Sequence, residues 1–336
     1  MHQVFFKLVA VLVCFMVSVK GGHVHHGVHH PPNIATGHHG EFSGNTAANI
    51  STTVCKPAKK VLWFMAVQCY IKSIEDDYYN FVLAAANSAS ISAPSLSPFL
   101  IHNGLDADVP VAVRNVPNMR LVSHNLTFLA NLTKALGERT MIGAWYRFDV
   151  PYIVKNLLTD LDPDEFDLDY ALYTDTDVLF FRDFHECSLP KPKVLYIGPE
   201  NEHGTQTNSG VLYMNLTAMQ EHWPSVLKMA VKQKFNFTAY DQGLFLDYFV
   251  EGKYSTLLPD RFNWKGYWGS APHVVIAHFH GPKPGECLDC LLLNRPDFTT
   301  FCKCYEIYFS IYNRTVDHGM FYNRMRLAYK FFSRSI

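Results

Sequence analysis

The chain has almost no net charge: 29 Lys and Arg stand against 30 Asp and Glu, for a formal charge of −1 at pH 7. No basic block interrupts that balance, so the electrostatic footprint of a nucleic-acid binder is missing. The apolar run at the N-terminus, Leu8 to Val19 behind Lys7, falls short of the roughly 20 residues that cross a bilayer. With Gly21 and Gly22 soon after, it reads as a secretory signal over residues 1–21. Counted back to Val4 it becomes a short signal anchor, which makes membrane association through the N-terminus the alternative. Cysteine is scarce, with eight in 336 residues. Outside the signal these are Cys55, Cys69, Cys187, Cys287, Cys290, Cys302 and Cys304, an odd number. The close pairs in CLDC and CKC have zinc-site spacing, but in an oxidising lumen disulfides are the expected use, with the connectivity open.

Asparagine sequons agree with that compartment. Asn49, Asn125, Asn131, Asn215, Asn236 and Asn313 each begin an Asn-x-Ser/Thr triplet without proline. Residues 22–57 are His-rich and then small and polar, without hydrophobic period, and read as a disordered linker; weak metal binding by its histidines is the other reading.

Beyond the linker, 48% hydrophobic residues suffice for a substantial core. "VLWFMAV" (61–67) has the length and composition of a buried parallel strand, and further strands are predicted at 98–102, 170–174, 193–198, 210–216 and 273–279. Segments of helical length lie between several of them: Tyr78 to Ala86, Trp145 to Leu158 and Thr217 to Lys234. The alternation predicts an α/β domain over 58–286, with a mostly parallel sheet flanked by helices. Residues 287–336 read as a disulfide-tied, Cys-rich C-terminal cap. In that extension the stretch 320–332 suits a helix that covers the core, or alternatively a basic helix on a membrane surface.

Two carboxylates interrupt the apolar run "ALYTDTDVLFF" (171–181). Residues two apart on an extended chain share a face, so Asp175 and Asp177 can aim at one point where a strand meets its loop. Paired anions there are stable with a divalent cation between them; a loop Asp-x-Asp without a ligand is the plain reading. A cation at a strand end suits a nucleotide diphosphate, whose departure it assists as a Lewis acid, and departure of a sugar's diphosphate is glycosyl transfer.

The motif order resembles the glycogenin-like glycosyltransferases of family 8, retaining enzymes with a GT-A fold. The resemblance is carried by "YRFDVPYIV" around Arg147, "LYTDTD" at 172–177, "TNSGVLYMNL" at 207–216, "YDQGLF" at 240–245 and "HFHGPKP" at 278–284, with "LPDRFNW" at 258–264 between the last two. It covers about Val61 to Pro284. It implies a Rossmann-like GT-A domain that binds a UDP-sugar with manganese, or magnesium in its place. Asp175 and Asp177 resemble the metal-binding pair, with Asp175 also near the ribose, and His278 resembles the third ligand; His280, two residues on, is the alternative. Arg147 and Lys283 resemble donor-binding residues, against surface salt bridges as the plain reading. Asn208, Ser209 and Gly210 resemble the strand start that meets the donor, where Gly210 would admit backbone close to the ligand. Asp241 and Gln242 resemble the pair facing the donor sugar and reacting centre, against an N-cap role for Asp241.

The sequence departs from the family at two places. One residue fewer separates His278 from Lys283 than in many relatives, and Gly285 stands where tryptophan often follows. The first strand lacks the usual Thr-Asn or Thr-Asp edge that meets the base; Tyr78 or Tyr79 could stack there, or belong to the core. The expectation is a retaining, metal-dependent transferase of a hexose or related sugar in the Golgi lumen or secreted, with an undetermined glycan, protein or lipid acceptor. The rivals are an inverting GT-A transferase and an inactive, secreted sugar- or metal-binding relative.

Overall fold

The computed structural model describes residues 59–68, 75–137, 142–184, 189–201, 204, 206–265, 268 and 273–280. The signal, the His-rich linker, every cysteine, Lys283 and the C-terminal extension with its 320–332 stretch lie outside the described residues.

The strands are β1 (Lys60–Ala66), β2 (Leu96–His102), β3 (Arg120–Ser123), β4 (Phe166–Thr174), β5 (Val178–Phe180), β6 (Leu195–Pro199), β7 (Thr207–Asn215), β8 (Ser255–Leu257) and β9 (Ile276–His278). The α-helices are α1 (Glu75–Ser92), α2 (Val111–Arg114), α3 (Leu129–Leu136), α4 (Val150–Asn156), α5 (Leu216–Lys232) and α6 (Asp241–Phe245), the last continuing into a π-helix, Leu246–Val250. No described helix is long and apolar enough to cross a membrane.

Seven strands form one sheet in the order β3-β2-β1-β4-β7-β6-β8. β7 runs against both its neighbours, and every other adjacent pair is parallel. The mostly parallel, helix-flanked sheet of a Rossmann-like α/β fold is therefore present. β1 shows why its sequence is apolar from Val61 on: Leu62 and Phe64 enter the core on one face of the sheet, and Val61, Trp63 and Met65 the core on the other.

Several elements differ from the sequence reading. The helix read over Trp145 to Leu158 is split into a 3₁₀ segment, Ile142–Phe148, and α4, with Pro151 in the first turn of α4, where its missing N–H costs nothing. α1 is longer than its apolar stretch, and the strand read over 273–279 contracts to three residues. Tyr79 is buried in the core, while Tyr78 is exposed.

Two features place the site. The chain passes from β1 to β2 and β3 on one side and returns through β4 on the other, so β1 and β4 flank a topological switch point, where ligands collect at strand carboxyl ends. A second, two-stranded sheet pairs β5 with β9 antiparallel and sets Val178 opposite His278. That register carries a residue from late in the chain to the end of β4.

Candidate active site

Asp175 follows the last residue of β4, and its N–H donates to the carbonyl of Gly210 at 2.8 Å. The chain then bends at Thr176 and Asp177 and enters β5. The two carboxylates converge through this bend between sheets, not through the extended alternation expected from the sequence.

β9 completes the group. The N–H of Phe279 donates to the Asp177 carbonyl at 2.8 Å, fixing β9 beside the bend. Nε2 of His278 lies 3.4 Å from Oδ1 of Asp177 and 3.6 Å from Oδ2 of Asp175. One ligand atom from each of the three residues falls within 4.8 Å of the others. His280 stands apart from this group: it is exposed, and its Nδ1 lies 3.4 Å from Oε1 of Glu200.

The ring of His278 is buried and held from behind, with Nδ1 2.9 Å from Oδ1 of Asn263 and 3.0 Å from Nζ of Lys265. Burial, helped by the Lys265 ammonium, pushes its pKa down to about 4 despite the opposing pull of Asp177 and Asp175. The imidazole is thus neutral near pH 7, the charge state that metal ligation requires. Two carboxylates and a neutral imidazole are a donor set that fits manganese, and an oxygen contact behind the ring is the usual way a ligating histidine is oriented.

Arg147 is buried, not part of a surface salt bridge. Its Nη2 donates to Oδ1 of Asp175 at 2.8 Å, its Nε lies 3.2 Å from Oδ2 of Asp241, and its Nη1 donates to the Ser209 carbonyl. The guanidinium also rests 4.9 Å from the centre of the Tyr173 ring. Burial alone would favour deprotonation, but Asp241 and Asp175 outweigh it and hold Arg147 above its ordinary pKa. It joins the metal-type cluster to the segment carrying Asp241.

Asp241 is the first residue of α6, and the N-cap position belongs to Tyr240, so the capping role does not apply. Ala239 and Tyr240, just before it, both have positive φ (57° and 56°), a conformation that costs non-glycine residues on the order of 1–3 kcal/mol. The turn they make directs Asp241 inward. Its Oδ2 accepts from Oγ of Ser209 at 3.0 Å. Burial, reinforced by Asp175, lifts its pKa to about 6 against the pull of Arg147 and Ser209. Gln242 presents Oε1 to Nδ2 of Asn208 at 3.1 Å and to the N–H of Ser209 at 3.3 Å.

At Gly210 the space a side chain would need is already taken. A Cβ there would stand 2.1 Å from Cε1 of His278 and 2.7 Å from Oδ2 of Asp175. The space above this backbone is filled by the imidazole and carboxylate, and the glycine makes room for them. Gly198 does the same one step back, where a Cβ would stand 2.3 Å from Nδ2 of Asn263.

The structure thus gathers Asp175, Asp177, His278, Arg147, Asn208, Ser209, Gly210, Asp241 and Gln242 at one end of the sheet. Sequence reasoning missed Asn263 and Lys265. Asn263 lies within "LPDRFNW", so position in a motif was the available signal; Lys265, just beyond it, had none.

No family model and no curated protein matches the sequence. Among solved structures, the chain is similar to the apo glycosyltransferase GlyE of Streptococcus pneumoniae TIGR4, at 15% identity and a TM-score of 0.47 over 68% of this chain and 56% of that one. It is similar to galactosyltransferase LgtC in complex with donor and acceptor sugar analogues, at 18% identity and a TM-score of 0.47 over 72% of this chain and 95% of that one. The apo form of mouse xyloside xylosyltransferase 1 matches at 16% identity and a TM-score of 0.43, over 67% of this chain and 99% of that one. The chain therefore spans little more than half the length of the pneumococcal protein. The functional reading rests on the residues themselves.

Proposed function

We propose that this chain is a metal-dependent, retaining glycosyltransferase of the GT-A type, resembling family 8, that moves a hexose or related sugar from a UDP-sugar to an acceptor in the secretory pathway. The observation that carries the reading is the convergence of Asp175 and Asp177, from the bend after β4, with His278, from β9 of the second sheet, at the carboxyl end of β4. Those three residues would hold the cation, with His278 and not His280 as the imidazole ligand. Manganese, when bound, supplies a Lewis acid that neutralises the diphosphate as it departs.

The protein's own groups would do the rest. Arg147 holds Asp175 in place, and brings a fixed positive charge to the side where the diphosphate sits. Asn208 and Gln242, bonded to each other, form a rigid amide pair with both donor and acceptor atoms for sugar hydroxyls. Asp241, set beside Arg147, contributes negative charge near the reacting centre, which favours an oxocarbenium-like transition state. Lys283 retains its proposed part in phosphate binding from the motif alone. Exposed sequons at Asn125, Asn131 and Asn236 support a lumenal location.

The test is release of UDP from a panel of UDP-sugars, with and without Mn²⁺. Slow, metal-dependent hydrolysis of one or two donors is expected, falling at least about a hundredfold in Asp175→Ala and Asp177→Ala. Equal release by those variants would remove the metal assignment, and NMR of the product anomer tests retention.

A further inference from the structure

Lys265 is fully buried, with its ammonium 3.0 Å from Nδ1 of His278, while Oδ1 of Asn263 lies 2.9 Å from the same nitrogen. The two neighbours make opposite demands. An ammonium only donates, so it needs Nδ1 as a lone pair; an amide oxygen only accepts, so it needs Nδ1–H. Turning the Asn263 amide over does not resolve the conflict, because its Nδ2 donates to the Pro199 carbonyl at 2.9 Å and reaches Oδ1 of Asn208 at 3.4 Å.

The choice at Nδ1 is felt at the far side of the ring. With Lys265 engaged, the neutral imidazole carries its proton on Nε2, and that N–H faces the carboxylates of Asp177 and Asp175. With Asn263 engaged, the proton is on Nδ1, and Nε2 offers a lone pair to the same space. Only the second form ligates a cation. Passing between them moves the ring's one proton from Nε2 to Nδ1 by exchange with water, with no net proton gained or lost. The ammonium released from Nδ1 has somewhere to turn: Oε2 of Glu200 lies 3.9 Å from Nζ and is buried without a hydrogen-bond partner.

We infer that Lys265 is a positioning residue that sets a threshold for cation loading, holding His278 in its non-ligating tautomer until Asn263 takes over the ring. This rests on the reading of Asp175, Asp177 and His278 as the metal site. The same buried charge repels a bare dication and attracts the diphosphate that arrives with one, so loading is coupled to the donor.

The experiment has two parts. Titration calorimetry with Mn²⁺, with and without UDP, compares the parent protein with Lys265→Met and Asn263→Leu, whose folding is checked by thermal unfolding. Lys265→Met is expected to bind Mn²⁺ about tenfold more tightly without UDP and to lose most of the enhancement that UDP gives; Asn263→Leu is expected to bind it at least about tenfold more weakly. Nitrogen-15 NMR of the parent histidines then reads the tautomer directly: Nε2–H in cation-free protein, changing to Nδ1–H on adding diamagnetic Mg²⁺. Unchanged or weaker binding by Lys265→Met, or Nδ1–H already present in the cation-free parent, would overturn this inference and leave the metal site standing. Absence of Mn²⁺ binding by the parent, with or without UDP, would overturn both.

Discussion

A single methyl group at position 210 would occupy the space that the His278 ring needs. The contact of 2.1 Å with Cε1 is too short to survive, and neither backbone nor ring can yield without moving a ligand atom. Gly210→Ala is therefore expected to lower Mn²⁺ affinity at least about tenfold while the sheet still folds, as calorimetric titration beside a thermal melt can show. At this scale the sequence was informative where residue type and spacing suffice. The carboxylates of "LYTDTD" stood out by type and spacing inside an apolar run, whereas the histidine of "HFHG" could be singled out only by its place in the motif order. Lys265 was not legible, since a lysine is by default a surface residue, and its contact with His278 arises from a loop meeting β9. The ring that Gly210 makes room for was equally hidden, because it comes from far along the chain.

Among the elements, α5 offers the plainest test of local sequence chemistry. Asn215 ends β7 and caps the helix, its Oδ1 accepting from the N–H of Ala218 at 3.0 Å. In protein made without glycans, Asn215→Ala is expected to cost about 1 kcal/mol, a fall of roughly 2–4 °C in Tm by calorimetry, with Mn²⁺ affinity unchanged. The long buried strands β1, β4 and β7 could be read from apolar runs alone. β3, β5 and β8, with three or four residues each, could not, because so short a stretch has no measurable period. β5 and β9 matter most to the site and owe their pairing to each other, a relation that no local pattern encodes.

For the whole molecule, two buried titrations act in opposite directions. Asp241 has a folded pKa raised from 3.8 to about 6, so the folded state binds the extra proton between those values; this contribution is present below pH 4 and lost as pH rises towards 6. His278 has a folded pKa lowered from 6.5 to about 4, so the unfolded state binds the extra proton; this contribution is present above pH 6.5 and lost as pH falls to 4. With a chelator present, these two contributions are expected to offset each other in the parent between pH 4 and 6, leaving the rise with pH that His102 adds, since burial lowers its pKa as well. His278→Asn should lose stability with rising pH across that window, and Asp241→Asn should gain it, each by on the order of 2 kcal/mol. Denaturant unfolding at several pH values reads these slopes.

The pairing of β5 with β9 also bears on when the protein becomes competent during its synthesis. Asp175 and Asp177 leave the ribosome long before Ile276–His278, and the imidazole can reach them only after the intervening hundred or so residues have been made. A nascent chain halted ahead of β9 would expose the acidic bend with no imidazole beside it, so the three-residue group can assemble only once His278 has been made.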